Sequence, residues 1–64
     1  MKLNGLERAE HDNCTVAALM QAEGIPQRGV AVAINSSVLR RSEWATTVVQ
    51  PGDSVEIVTA VAGG

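Results

Sequence analysis

The sequence predicts an α+β domain in which one short helix lies across one face of a sheet. Three observations predict it. Side chains alternate at the period of strands over Val30–Ile34 and over Val55–Thr59. A single i, i+3, i+4 stripe, Val16, Leu19 and Met20, marks one helix with one apolar face. Turn signals at Asn4-Gly5, Asn35-Ser36-Ser37 and Pro51-Gly52-Asp53 separate these segments.

Each element has its own local reason. Met1–Leu3 is a short apolar start, and Asn4-Gly5 is the dipeptide that a type I′ hairpin turn favours, since both central residues need positive φ. Leu6–Glu10 is then the returning strand, charged and poor in β-formers, which suits an exposed edge. His11–Cys14 reads as a polar turn. Thr15 is placed to cap a helix of about ten residues through its hydroxyl oxygen. Gly24 sits at the position that ends a helix in a left-handed conformation, and Pro26 forbids continuation. Gly29–Asn35 is the clearest strand, with Val30, Val32 and Ile34 on one face and Ala31 and Ala33 on the other; apolar residues on both faces predict a central position. Val38–Arg40 is a short return strand, and Arg40–Thr47 a short helical turn around Trp44. Ser54–Ala60 is the last strand, with Val55, Ile57 and Thr59 on one face and Glu56 and Val58 on the other. The first and last strands must lie side by side to bury Leu3 against Val55 and Ile57. This order describes the ubiquitin-like β-grasp, a sheet of four to five strands with one helix, here over residues 1–60, followed by a flexible tail at 61–64.

Composition narrows the function classes. A chain of 64 residues is one small domain, and such a domain buries only about 60% of the surface its unfolded chain exposes. There is no Phe or Tyr and one Trp, so the core is aliphatic and leaves little room for a deep pocket. That favours a carrier, binder or subunit over an enzyme. The net charge of −2 argues against nucleic acid, and Arg40-Arg41 is too short for its footprint. No apolar run exceeds five residues, as in Val30–Ile34, far short of the ~20 of a membrane span, and no signal-peptide core follows Met1. Cys14 is the single cysteine, so neither an internal disulfide nor a cysteine-based zinc cluster can form. A reduced, cytoplasmic protein is expected.

Gly29–Asn35, Val38, Arg41 with Trp44, Gly52–Ile57 and Ala60-Val61-Ala62-Gly63-Gly64 together resemble the ThiS family, the sulfur carriers of thiamine thiazole biosynthesis. The resemblance runs from the first strand to the last residue. Ser36-Ser37 and Asn13-Cys14 depart from the small residues and glycines that relatives often carry there. The resemblance implies that an E1-like adenylyltransferase activates the Gly64 carboxylate with ATP. A sulfur donor, a cysteine desulfurase or rhodanese-type protein, then converts it to a thiocarboxylate, a covalent 1-thioglycine. Thiazole synthase takes the sulfur. No bound cofactor or metal is implied, and the chain is a co-substrate rather than a catalyst.

The tail suits that chemistry. Gly63 and Gly64 lack Cβ and pass where other residues cannot, while Val61 and Ala62 are small enough to thread into a partner's active site. A frayed terminus is the plain alternative for two glycines. Ala31 and Val58, on the sheet face away from the helix, are the expected docking face for partners. Cys14, a conceivable persulfide site, reads as a small, partly buried residue ahead of the helix. His11 reads as a solvated loop residue, and Trp44 as a lid on the core rather than an interface anchor. Arg40 and Arg41 fit either a contact to the adenylating enzyme or plain solvation. Three competing functions remain: the small subunit of molybdopterin synthase, a non-covalent β-grasp interaction module, and a modifier conjugated to lysines.

Overall fold

The computed structural model describes residues 1–59. The hairpin turn forms as its residues demand: Asn4 has φ 50° and Gly5 φ 87°, closing β1 (Lys2–Leu3) against β2 (Leu6–Glu7) with Leu3 opposite Leu6. The return strand is shorter than the sequence suggests and stops at Glu7. Arg8 gives its N–H to Met1 O at 2.8 Å, then accepts from His11 N at 3.1 Å, so residues Ala9–His11 form a 3-10 turn instead of continuing the ladder.

Thr15 caps α1 (Val16–Ala22), its Oγ1 accepting from the Ala18 N–H at 3.1 Å. The helix has seven residues rather than about ten, because its end is fixed early. Ile25 N–H reaches Met20 O at 2.9 Å and Gly24 N–H reaches Gln21 O at 3.2 Å, a Schellman closure that requires the φ of 70° at Gly24. Val16, Leu19 and Met20 are the buried face, as their spacing predicts.

β3 (Val30–Ile34) turns through Asn35 and Ser36, both at positive φ, into β4 (Ser37–Leu39). The return thus begins one residue earlier than expected, because the tight two-residue turn places Ser37 opposite Ile34. A 3-10 turn over Arg41–Glu43 leads to Trp44, and β5 (Ser54–Thr59) follows. The sheet order is β2-β1-β5-β3-β4. β1 and β5 run parallel with Leu3 beside Val55, as burial of these residues demanded. β5, not β3, holds the centre; β3 is flanked on both sides but lies one strand from the edge.

The core between sheet and helix gathers Met1, Leu3, Val16, Leu19, Met20, Val32, Trp44, Val49, Val55 and Ile57. Trp44 closes it, 4% exposed, with its Nε1–H directed at Leu39 O at 3.4 Å. Val49 is fully buried and held by paired backbone bonds, its N–H to Cys14 O and its C=O from Asn13 N–H. Asn4 does more than turn the chain. Its Oδ1 accepts from Ile57 N–H at 2.8 Å and its Nδ2 donates to Ile57 O at 3.3 Å, so a side chain continues the β1 ladder where the β1 backbone has turned away.

His11 is a correction to the sequence reading: it is 6% exposed, and its Nε2 lies 2.6 Å from Glu23 Oε2. Arg8 bonds the same Glu23 oxygen and, at 2.8 Å, Glu10. This cluster ties the first hairpin to the end of α1. The hydrogen bond from His11, then that from Arg8, holds the Glu23 carboxyl below the usual carboxylate range. A depressed folded-state pKa contributes stability above the unfolded value of 4.5, and that contribution is lost as pH falls below it. The expected result is that wild type exceeds Glu23→Gln in urea midpoint at neutral pH and that this gap closes below pH 4.5. A gap constant from pH 7 to 3 would contradict it.

Candidate functional site: the outward sheet face and the end of the central strand

Helix packing covers one face of the sheet and leaves the other open. On the open face the register sets Ala31 opposite Val58, and Ala33 opposite both Glu56 and Val38. These residues line a shallow depression of about 220 Å³. Val58 is 58% exposed and Val38 81%. Large apolar side chains held in the open on regular strands are unusual for a face that meets only water. Glu56 sets one charge among them. Ala31 and Val58 were therefore legible as one patch from strand alternation. Ala33 and Val38 complete it, and the two-residue turn was the signal that would have joined them, since residues flanking such a turn in step share a face.

The motif residues of the sequence do structural work beside this face. Asn35 Nδ2 donates to Asp53 Oδ1 at 3.0 Å, and Asn35 Oδ1 accepts from Ser54 N–H at 2.9 Å. The end of β3 is thereby pinned to the turn that starts β5. The Gln50 backbone N–H, at 2.8 Å, and then Asn35 hold the Asp53 carboxyl below its usual range. Arg41 sets its guanidinium 6.0 Å from the centre of the Trp44 ring. Arg41 and Trp44 therefore belong to one corner of the fold.

β5 runs without interruption to Thr59, paired with Val30. Residues Ala60, Val61, Ala62, Gly63 and Gly64 lie outside the described residues, and with them the sulfur-bearing and tail-threading assignments and the flexibility expected of 61–64. The described part ends at Thr59, the last residue of the central strand, which follows Val58 of the open apolar face.

Other candidates resolve into structure. Cys14 is half-buried, with its N–H on His11 O at 3.2 Å and its C=O on Val49 N–H, as a small residue ahead of the helix should be. Glu10, His11 and Glu23 gather ligand atoms within 4.8 Å of one another. Arg8 already bonds both carboxylates, so this cluster holds its own cation. Among the described residues no helix is long and apolar enough to cross a membrane.

Comparison with known proteins agrees with this architecture. The family model described as "ThiS family" matches residues 1–64. A protein of Paramagnetospirillum magneticum named thiazole synthase is 39% identical over 62 residues, 97% of this chain; the chain spans only 19% of that protein's length. The sulfur carrier protein ThiS of Escherichia coli is 38% identical over 50 residues, covering 78% of this chain and 76% of that one. The crystal structure of the thiamine biosynthesis protein ThiS from Geobacter metallireducens superposes with a TM-score of 0.80 at 30% identity, over 98% of this chain and 96% of that one.

Proposed function

This chain belongs to the ThiS family, and we infer that it is a sulfur carrier in thiamine biosynthesis that delivers sulfur from Gly64 to a thiazole synthase. The observation that carries the reading is the family match across residues 1–64, which takes in the Gly63-Gly64 end. The fold supports it by leading the central strand directly toward that end.

The chemistry follows from what a carboxylate lacks. Ionised, it is resonance-stabilised and a poor electrophile, so it does not donate its acyl group. An adenylating partner joins it to the α-phosphate of ATP and releases pyrophosphate, which neutralises the charge and supplies a leaving group. The outer sulfur of the donor's persulfide attacks the carbonyl carbon and the C–O bond to AMP breaks, giving an acyl disulfide. A thiol then attacks the donor-side sulfur, the S–S bond breaks with the donor left in a new disulfide, and the chain ends in –COS⁻. That thiocarboxylate is the nucleophile that thiazole synthase receives. The folded domain contributes recognition: it presents an area that a free sulfide ion does not have. The Ala31–Val58 face, extended by Ala33 and Val38, docks the adenylating enzyme and brings the tail to its nucleotide.

Two results test this. Expression of the chain in cells lacking their own thiazole sulfur carrier is expected to restore growth without thiamine; rescue of molybdopterin synthesis instead would overturn the pathway. Val58→Glu is expected to cut the efficiency of adenylation about tenfold or more, because docking would bury an unpaired charge. The side chain is 58% exposed, so the thermal midpoint should stay within a few degrees of wild type. Unchanged adenylation kinetics would remove this face from the docking surface.

A further inference from the structure

The two faces of the sheet at the outer end of β5 differ, and the helix side carries a second recognition surface. Backbone groups along a strand alternate in direction. Asp53 O, Val55 O and both backbone groups of Ile57 point toward β1, where Lys2 N–H, Asn4 N–H and the Asn4 side chain meet them. Ser54 O points the other way, to Asn35 N–H. By the same alternation the N–H and C=O of Thr59 point toward the β1 side. There the chain has already turned away at Asn4-Gly5, and among the described residues nothing pairs with them. The central strand of the sheet thus ends in an open edge next to the reactive tail.

Beside that edge lies a groove of about 310 Å³ in which Ile25, Pro26, Val30, Ile57 and Thr59 meet and Arg28 forms part of the wall. Arg28 is exposed, and among the described residues it makes no ion pair, whereas Arg8 is bonded to two carboxylates. Open backbone donor and acceptor, an apolar trough and a positive rim are the three parts of a strand-addition site: main-chain bonds give affinity, the trough and the charge give selectivity.

We propose that this edge and groove receive an extended segment of thiazole synthase that pairs with β5 at Thr59, sets an apolar side chain into the trough and an acidic one against Arg28. The proposal rests on the sulfur-carrier reading above. The occupant's charge follows from Arg28, and its extended form from the open edge. The adenylating enzyme takes the opposite face, so two enzymes that act in turn on one tail are recognised by two sides of one strand. Pairing at Thr59 also fixes the register of the residues that follow, which aims the tail into the receiving active site.

The test is amide hydrogen exchange and binding with the full chain and purified thiazole synthase. The Thr59 amide should exchange freely in the free chain and become protected in the saturated complex. Arg28→Glu should weaken binding about tenfold or more, and Arg28→Lys should hold it within about threefold. A saturated complex in which Thr59 still exchanges, or in which Arg28→Glu binds as wild type, overturns the proposal while leaving the carrier reading intact. Protection by the adenylating enzyme but not by thiazole synthase overturns the chosen occupant. If wild type does not bind thiazole synthase at all, the proposal fails, and the carrier reading fails with it only where Gly64 carries no sulfur.

Discussion

Deletion of Gly63 and Gly64 is expected to reduce sulfur loading to background while leaving the fold as stable as before. Two residues span at most roughly 7 Å, so their loss shortens the reach of the terminal carboxylate by up to that distance. Adenylation needs the carboxylate oxygen about 3–3.5 Å from the phosphorus it attacks, so the truncated end falls short. The new terminal residue would be Ala62, whose Cβ adds bulk where glycine passes. Nothing in the described core depends on these residues: its members run from Met1 to Ile57. Pyrophosphate release in a single turnover, with circular dichroism on the same sample, checks both halves. Normal pyrophosphate release from the truncated chain would contradict the assignment of Gly64 as the reacting residue.

Leu19→Ala is expected to have the largest effect on stability. Leu19 is fully buried at the centre of the helix face, packed with Val16, Met20 and strand residues such as Val32 and Val55. Removing such a side chain costs about 2–5 kcal/mol, from lost transfer energy and the cavity left behind. Native domains have roughly 0.05–0.15 kcal/mol of stability per residue, so a chain this small holds about 3–10 kcal/mol in total. One substitution therefore consumes much of the margin. No disulfide can compensate, since Cys14 is the single cysteine. Urea unfolding should show a loss in that range, or a variant largely unfolded at 37 °C. A loss under about 1 kcal/mol would mean that the sheet and helix hold together without this contact.

Much of the fold was legible because its signals are local. Asn4-Gly5 needs positive φ at both positions, Thr15 offers its oxygen three residues ahead of Ala18, and Gly24 ends the helix; each acts within a few residues of itself. The pairing of β1 with β5 was legible for a different reason, since no other arrangement buries Leu3 with Val55. What escaped was non-local. His11 looks like a solvated residue between Glu10 and Asp12, and only the arrival of Glu23, twelve residues on, makes its burial tolerable. Val49 has no periodic partner in sequence; backbone bonds to Asn13 and Cys14 place it. The outward face was half legible. Strand alternation joined Ala31 to Val58, but Val38 required knowing where the Asn35-Ser36 turn closes. The open edge at Thr59 could not be read at all, because it depends on how few residues of β1 pair with β5.

The most direct test of the central claim is an intact mass, with C-terminal fragmentation, of this chain isolated from its own cells after depletion of thiazole synthase. Under that condition thiocarboxylate should accumulate. Exchange of one oxygen for sulfur changes the mass nearly as much as oxidation of Met1, Met20 or Cys14, so the fragment that carries the change decides the matter. The account predicts sulfur on Gly64. An unmodified Gly64 in those cells would contradict it and leave a β-grasp domain that works through contact alone.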